Sequence, residues 1–424
     1  MSYNLIKVIL KKLFLKKILI QFLKLRILFI FKISTSKILK DFISFKDAEI
    51  RFFENIHNLK LINPEQFNYI ENSLIPLFYS NPIFDLKDIK SNKIIKSIDF
   101  IKYTAIFYKV EIIGGSNLIL LNNKKVLYDL KFIDKQKKYK FIDEGIKFYR
   151  DNICLIEAKK TNINFKKAIY LGGNFSWNYY HYIYEILIKF EQIDSLELDS
   201  EIPFLLDKEC EKFSQFMELF NLLNKGKRKI IFIDKGKRYF INELYYSSCP
   251  NIIPPEFINN KKIQPKDVLY DLKSLTYIRD NLLKYALKKK FPKRIYLSRK
   301  KAINRRKFNE DEIIKILEKY KFITVFPENY SIIDQITLFN NAEFIIGGTG
   351  AAFSNLLFCN NSCKIICLTN YKIMISIFST IASSFGFDLL YVYDENKVNA
   401  NKINIHNSYK INPKKIEKII KEWL

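Results

Sequence analysis

Short apolar segments alternate with amphipathic ones between residues 294 and 368, and this alternation limits the possible folds more than any other feature of the chain. The apolar segments have the length and composition of buried strands and lie at 294–300, 322–328, 343–348 and 364–369. The segments between them space their apolar residues as amphipathic helices do, at 309–321 and 331–342. Strands that alternate with helices in this way indicate βαβ units on a parallel sheet.

The preceding residues predict a second α/β region. Short strands are expected from about 98 to 160, with hairpin signals at Gly114-Gly115 and Asn122-Asn123. Strands and helices alternate again from 168, and Phe291-Pro292 marks the junction with the last region, whereas 34–95 has a helical and loop-like pattern. The predicted domains are a basic helical N-terminal region over 1–95, an α/β domain over 96–290, and an α/β domain over 291–424 that ends in a helix.

The chain is strongly basic, with 71 Lys and Arg against 44 Asp and Glu and a formal net charge of +27. Such a charge suits nucleic acid, an anionic membrane surface or phosphorylated substrates. The lysines are spread over the whole length, however, and no nucleic-acid-binding module is recognisable. Most of the positive charge is therefore attributed to the lysine-rich composition of the whole chain, and no nucleic-acid partner is expected.

The N-terminal segment 5–33 is rich in Leu, Ile and Phe, but lysines interrupt it every few residues. A signal peptide needs an apolar run of ~7–15 residues and a membrane-spanning helix needs ~20, and the segment has neither. It predicts either a basic helix on an anionic membrane surface or an ordinary packing helix. The six cysteines include no CxxC pair, which argues against zinc and for a reducing compartment. We therefore expect a cytoplasmic protein that is peripheral on the inner face of the membrane if this segment binds lipid.

A glycine-rich turn (347–351) follows the apolar segment at 343–348 and leads into a predicted helix. Glycines let backbone N–H groups approach a phosphate, and the start of a helix adds favourable partial positive charge. The spacing is neither GxGxxG nor that of a P-loop. The turn is therefore either a phosphate site of another kind or a tight turn that needs small residues.

Arginines follow the first predicted strand of the same region. Arg299 comes where the strand at 295–298 ends, and Arg305 and Arg306 lie shortly after it. The planar guanidinium group suits phosphate oxygens. If this strand neighbours the one that leads into the glycine-rich turn, Arg299 and the turn would converge on one diphosphate. The alternative is a solvated basic loop.

Histidine is rare in this chain, which has only His57, His181 and His406. His181 and Glu185 are four residues apart on a helix predicted at 178–193, so they share one face. An imidazole beside a carboxylate is a general-base arrangement, because the carboxylate orients the ring and raises its basicity. The alternative is a capping or packing histidine among aromatic residues.

Four segments in the same order resemble glycosyltransferase family 61, namely 178–187, 294–300, 305–313 and 323–358. This family includes bacterial capsular and lipopolysaccharide sugar transferases and eukaryotic enzymes that modify proteins and xylan. The resemblance covers about 172–370 and implies an α/β, GT-B architecture of two facing Rossmann-like αβα domains with a cleft between them. It also implies an inverting transfer that needs neither metal nor cofactor. The partners would be a nucleoside diphosphate sugar and a glycan or lipid-linked glycan acceptor, in capsule or lipopolysaccharide biosynthesis.

Residue by residue, the resemblance implies a donor site made of Arg299, Arg305, Arg306, Gln335, Gly348, Thr349, Gly350, Ala351 and Asn355. Arg299 and the amides of 348–351 would hold the diphosphate, and either Glu185 or His181 would be the catalytic base. In the family's His-Gly-Ala-Gly-Leu-Thr-Asn motif, Thr349 replaces the histidine and Ala352 the second glycine. A hydroxyl can donate a hydrogen bond but carries no positive charge near pH 7, so these departures bear on donor affinity or sugar identity more than on fold.

Two other functions are compatible with parts of the sequence. The loss of the histidine at Thr349 and the high charge favour a catalytically degenerate transferase scaffold that acts as a basic membrane-surface or nucleic-acid-binding protein. A dinucleotide-dependent oxidoreductase is disfavoured, because both the GxGxxG motif and the acid that binds ribose are absent.

Overall fold

A computed structural model describes residues 47–56, 59, 64–135, 139–225, 228–254, 256–257, 264–301, 307–370, 377–393 and 408–424. The chain divides after Ala48, and Glu49–Leu424 form one compact unit. The segment 5–33, for which we predicted a basic helix, lies outside the described residues, as do Arg305 and Arg306.

The strands before residue 260 belong mainly to one large mixed sheet. They are β1 Ala48–Glu54, β2 Phe67–Tyr79, β3 Ile95–Ile113, β4 Ile119–Leu120, β5 Lys125–Leu127, β6 Tyr139–Lys140, β7 Ile146–Arg150, β8 Ile153–Glu157, β9 Lys159–Tyr170, β10 Phe204–Asp207, β11 Ile230–Ile233, β12 Lys237–Ser247 and β13 Glu256–Phe257. Within the described residues the large sheet has eleven strands in the order β11-β10-β9-β12-β3-β4-β5-β1-β8-β7, and β2 also pairs with β3. Strands β6 and β13 form a separate antiparallel pair.

Two features of this sheet differ from the prediction. The region 34–95, predicted to be helical and loop-like, contains β1 and β2; most of β2 is solvent-exposed, so no apolar alternation marks it as a strand. The expected series of short strands after 98 begins with one long strand, β3, which stays continuous because it pairs with β2 and β12 along its length. The hairpins predicted at Gly114-Gly115 and Asn122-Asn123 are confirmed by the antiparallel pairs β3–β4 and β4–β5.

The C-terminal sheet is parallel, as the alternation of strands and helices predicted. Its strands are β14 Arg294–Leu297, β15 Ile323–Val325, β16 Phe344–Gly348, β17 Lys364–Thr369 and β18 Asp388–Tyr393. They lie in the order β15-β14-β16-β17-β18, and every neighbouring pair is parallel. All residues of β16 are buried, which explains why this segment is a continuous apolar run instead of an alternating one.

In the large sheet the pairs among β9, β10, β11 and β12 and the pair β1–β5 are parallel, whereas β2–β3, β3–β4, β3–β12, β4–β5 and β7–β8 are antiparallel. This half therefore departs from the expected αβα layer. The α-helices of the described residues are α1 Leu130–Ile133, α2 Tyr179–His181, α3 Phe190–Asp194, α4 Ser214–Leu223, α5 Leu272–Leu283, α6 Glu310–Lys319, α7 Ile332–Asn341, α8 Ile377–Phe385 and α9 Pro413–Trp423. A π-helical turn at Tyr182–Ile186 and a 3₁₀ turn at Leu187–Lys189 join α2 to α3 without a break. Other 3₁₀ helices lie at Pro64–Gln66, Leu86–Ser91, Lys208–Lys212, Pro265–Asp267, Pro327–Asn329 and Ala351–Phe358.

One apolar core connects the two sheets. It includes Ile169 and Leu206 from the large sheet, Ile295 and Ile345 from the parallel sheet, and Leu275 of α5 between them. The chain is thus a mixed α/β protein, whereas the GT-B arrangement and the domain boundaries near 95 and 290 stay predictions. None of the helices in the described part of the chain has the length and apolarity needed to cross a bilayer.

Candidate active site

The predicted donor-binding residues lie where the strand order of the parallel sheet reverses. Strands β14 and β16 are neighbours, with Leu297 opposite Gly347, although β15 separates them in sequence. The next strand along the chain, β15, lies on the far side of β14, so the connections leave the sheet in opposite directions at this point. Ligands of open parallel sheets bind in the crevice at the carboxyl ends of two such strands. Arg299 and the glycine-rich turn leave the sheet at these two ends.

The backbone that carries Arg299 is held by a buried carboxylate. Oε1 of Glu310 accepts hydrogen bonds from Ser298 Oγ at 2.5 Å and from the Arg299 amide at 2.9 Å. Glu310 is the first residue of α6, where a negative charge interacts favourably with the helix dipole. Our sequence reasoning missed this residue; an acid at the start of the helix that follows Arg299 was the available signal.

The side chain of Arg299 lies across the glycine-rich turn. Its Nη1 donates a hydrogen bond to the Thr349 carbonyl at 3.0 Å. A β-carbon at Gly350 would stand 1.4 Å from Nη1, and one at Gly348 would stand 3.1 Å from Arg299 Cδ. Gly350 has extended backbone (φ 174°), so the position requires glycine for its space and not for its conformation. In the described part of the chain Arg299 Nε is buried and has no hydrogen-bond partner.

The amide of Thr349 is already engaged within the sheet. It donates to the Leu368 carbonyl at 2.8 Å, which extends the β16–β17 pairing by one residue. The expectation that all amides of 348–351 bind the diphosphate is therefore wrong for Thr349, because strand pairing uses this donor. Ala351 begins the 3₁₀ helix Ala351–Phe358 and stays a candidate.

Gln335 and Asn355 are buried beneath the turn. Asn355 Nδ2 donates to Gln335 Oε1 at 2.7 Å, and Gln335 Nε2 donates to the Tyr330 carbonyl at 3.1 Å. Asn355 Oδ1 accepts from Tyr179 at 2.7 Å. The two amides thus bond to each other and to tyrosines outside the turn, and any contribution they make to donor binding would act through the 3₁₀ helix that follows the turn.

His181 and Glu185 share one face of the helical segment 179–194, as predicted. The His181 Nδ1 and Glu185 Oε2 atoms are 3.2 Å apart, and the two side chains are 18% and 15% exposed. Within the described residues Nδ1 has no hydrogen bond of regular geometry. Catalytic pairs are often loose before substrate binds, so this separation suits a base and its orienting partner.

The π-helical turn falls on this pair, since it spans Tyr182–Ile186 and includes Glu185. Such turns are rare and often mark functional sites. The ring of Phe175 lies 5.1 Å from the His181 ring, and Phe175 itself has a left-handed backbone (φ 60°), which is unusual for an aromatic residue. The periodicity of the sequence did not reveal the π turn.

Lys189 lies one further turn along the same segment and was also missed. It is buried, and its Nζ stands 5.2 Å above the Tyr246 ring. Burial lowers the pKa of Lys189, and the neighbouring charge of Glu185 opposes this shift. Its position four residues after Glu185 was the signal that could have identified it.

The two candidate clusters belong to elements in direct contact. Tyr179 donates to Asn355 Oδ1, and Tyr184 donates to the Ser354 carbonyl at 2.9 Å, so the His181 segment packs on the 3₁₀ helix that follows the glycine-rich turn. Phe378 of α8 contacts both sides, with ring distances of 6.4 Å to Tyr180 and 5.3 Å to Phe353. A candidate general base with its partner on one element and a candidate diphosphate-binding arginine on the next would supply the two components that a group transfer requires.

Among curated proteins, none matches this sequence. The family model described as Glycosyltransferase 61 matches residues 148–366, just over half of the 424 residues. The matched segment begins in β7 and ends in β17, so it contains the His181–Glu185 pair, Arg299 and the glycine-rich turn. The chain therefore belongs to glycosyltransferase family 61 and is a glycosyltransferase.

Proposed function

We propose that the chain is an inverting, metal-independent glycosyltransferase that moves a sugar from a nucleoside diphosphate sugar to a hydroxyl of a glycan. The observation that carries this proposal is the Arg299 guanidinium, which lies across the glycine-rich turn at the switch point of a parallel sheet. We further propose that the two α/β halves act as the acceptor and donor domains of a GT-B enzyme.

Arg299 would bind the diphosphate of the donor. Its planar fork can contact two phosphate oxygens at once, and its charge would stabilise the negative charge that builds up on the leaving diphosphate. In this role the guanidinium supplies the positive charge beside the diphosphate that a divalent cation supplies in other transferases. Arg305 and Arg306 are proposed to assist, and they lie outside the described residues.

The acceptor hydroxyl would be activated by the His181–Glu185 pair. Its oxygen attacks the anomeric carbon from the face opposite the diphosphate, the bond to the diphosphate breaks, and the base takes the hydroxyl proton. Glu185 could act directly with His181 as its positioning partner. Alternatively, His181 is the base and Glu185 raises its basicity.

The class of acceptor and the cellular location of the enzyme are also part of the proposal. A surface glycan or lipid-linked glycan of capsule or lipopolysaccharide type fits the family, which includes such bacterial enzymes. The net charge of +27 would favour attachment to the anionic inner face of the cytoplasmic membrane.

A thermal-shift screen against nucleotides and nucleotide sugars, with and without EDTA, tests the proposal. We expect one nucleoside diphosphate sugar to raise the melting temperature, because a ligand that binds only the folded state stabilises it, and we expect EDTA to leave this shift unchanged. A shift that EDTA abolishes would contradict metal independence. No shift with any donor, together with steeply salt-dependent nucleic-acid binding, would support the degenerate scaffold suggested by Thr349.

A further inference from the structure

A cavity of about 320 Å³ lies beside the loop that leads into the His181 segment. Its wall includes Gly115, Asp143, Glu144, Lys147, Trp177 and Lys235. We call it the loop cavity. None of the residues assigned above to donor binding or to the base contributes to its wall.

The loop from Gly172 to Asn178 is held firmly on several sides. The Asp207 carboxylate accepts a hydrogen bond from the Gly173 amide at 2.9 Å, and Asn174 Nδ2 donates one to the Ile142 carbonyl at 2.6 Å. The left-handed backbone of Phe175 is a strained conformation that persists only when its surroundings enforce it. The loop therefore presents its side chains in a fixed arrangement before any ligand binds.

Trp177 is the exposed member of an aromatic series that ends at the candidate base. Its side chain is 43% exposed, and its ring lies 6.3 Å from Phe175 in an edge-to-face arrangement. The Phe175 ring in turn lies 5.1 Å from His181. The exposed ring of Trp177 is thus connected to His181 through one intervening ring. A large exposed aromatic ring on a rigid loop is typical of binding surfaces, because it offers contact area at low entropic cost.

The charges around the loop cavity balance. Asp143 and Glu144 face Lys147 and Lys235, and Glu144 forms an ion pair with Lys235 at 3.1 Å. Asp143 is buried, and its carboxylate accepts hydrogen bonds from Ser116 Oγ and the Asn117 and Gly145 amides, so it shapes the wall. In a chain with a net charge of +27, a locally neutral site argues against a phosphate or uronate ligand.

We propose that the loop cavity binds an uncharged sugar residue of the acceptor glycan, with its apolar ring face on Trp177 and its hydroxyls on Glu144 and Lys235. A pyranose ring has apolar C–H faces and hydroxyl groups at its edge, which match an aromatic surface next to a paired carboxylate and ammonium. This inference rests on the proposed function, because it supplies the acceptor side of that reaction.

Saturation-transfer NMR with methyl glycosides of glucose, galactose, mannose, N-acetylglucosamine and glucuronic acid tests the inference. We expect at least one neutral glycoside to bind, Trp177→Ala to weaken it by at least about 30-fold as expected for an aromatic anchor, and Trp177→Phe to retain part of the affinity. Tyr285→Ala removes another exposed aromatic ring elsewhere and should change nothing. The donor-dependent thermal shift should persist in Trp177→Ala, which shows that the variant is folded.

Equal glycoside binding by Trp177→Ala and the unmodified protein would overturn the inference, as would preferential binding of the glucuronide. A donor-dependent thermal shift without any glycoside binding would overturn the inference about the loop cavity while the proposed function stands. Glycoside binding that depends on Trp177 without any donor shift would instead contradict the proposed function. Absence of both would contradict the two together.

Discussion

Arg299 occupies the space that a side chain at position 350 would need. The Nη1 atom of Arg299 donates a hydrogen bond to the Thr349 carbonyl at 3.0 Å, and a β-carbon on Gly350 would stand 1.4 Å from that nitrogen. The glycine and the arginine therefore act as one unit, in which the small residue permits the large one to lie across the turn.

Replacing Arg299 by Ala should weaken binding of the donor by about 10- to 100-fold, since a hydrogen bond to a charged group is worth about 1.5–3 kcal/mol. Arg299→Lys keeps the charge without the planar fork and should recover only part of the affinity. Isothermal titration calorimetry with the donor identified by thermal shift measures both. Unchanged affinity in Arg299→Ala would remove this residue from the donor site.

Replacing Gly350 by Ala should reduce donor affinity through Arg299, because the new methyl group displaces the guanidinium. A double-mutant cycle is the sharp test. If the effect acts through Arg299, Gly350→Ala should cost little more in a protein that already carries Arg299→Ala. Additive losses would mean that Gly350 contacts the donor by itself.

Replacing Glu185 by Gln, or His181 by Ala, should lower turnover by at least about 100-fold, as expected for loss of a general base. Donor affinity should survive in both variants, because both side chains belong to the segment 179–194 and not to the turn where we propose that the diphosphate binds. Steady-state rates and calorimetry separate the two effects. Full turnover in both variants would place the base elsewhere in the chain.

Replacing Tyr179 by Phe should lower the free energy of unfolding by about 1–3 kcal/mol, because the buried Asn355 loses its hydrogen-bond donor. It should also weaken donor binding, since Asn355 lies under the glycine-rich turn. Tyr182→Phe is the matched control, because Tyr182 is a buried tyrosine that donates to the Phe216 carbonyl at 3.0 Å, away from the turn. Urea denaturation and calorimetry should show similar stability losses but a donor effect for Tyr179 alone.

Asp207 should make the stability of the protein pH-dependent. Burial raises the pKa of Asp207 to about 6, against the hydrogen bonds that it accepts from the Gly173 and Gly115 amides. A raised carboxyl pKa stabilises the fold below the unfolded pKa, and this stabilisation is lost as the pH rises through the folded pKa. Asp207→Asn should therefore destabilise the protein by about 1 kcal/mol more at pH 5 than at pH 7.5.

Urea denaturation at the two pH values measures this difference. Asp234→Asn is the control, because the Asp234 side chain is 40% exposed and Lys237 holds its pKa below the usual range, so it stays ionised at both pH values. A destabilisation by Asp207→Asn that is equal at pH 5 and pH 7.5 would contradict the raised pKa.

The parallel sheet and the convergence of its loops could be predicted because both depend on local patterns. Strands β14, β16 and β17 are apolar runs flanked by helices, and adjacency of β14 and β16 was enough to bring Arg299 to the glycine-rich turn. The i,i+4 spacing likewise predicted that His181 and Glu185 share a face. These features required no knowledge of distant contacts.

Other features depend on contacts between residues far apart in sequence, and no local pattern reveals them. β2 is recognisable as a strand only through its pairing with β3. Gly350 resembled a phosphate-binding glycine, yet it makes room for Arg299, which follows another strand. The amides of Gln335 and Asn355 resembled donor ligands but pair with each other, because Tyr179 and Tyr330 complete a buried chain.

The π-helical turn at Tyr182–Ile186 contains one residue more than an α-helical turn over the same path. Loss of a single residue there would let the segment relax to α-helix over the same path, so Lys189 and helix α3 would keep the faces that they present to the core. A relative aligned with a one-residue gap here would therefore keep the packing of the segment and differ in the local backbone that carries Glu185.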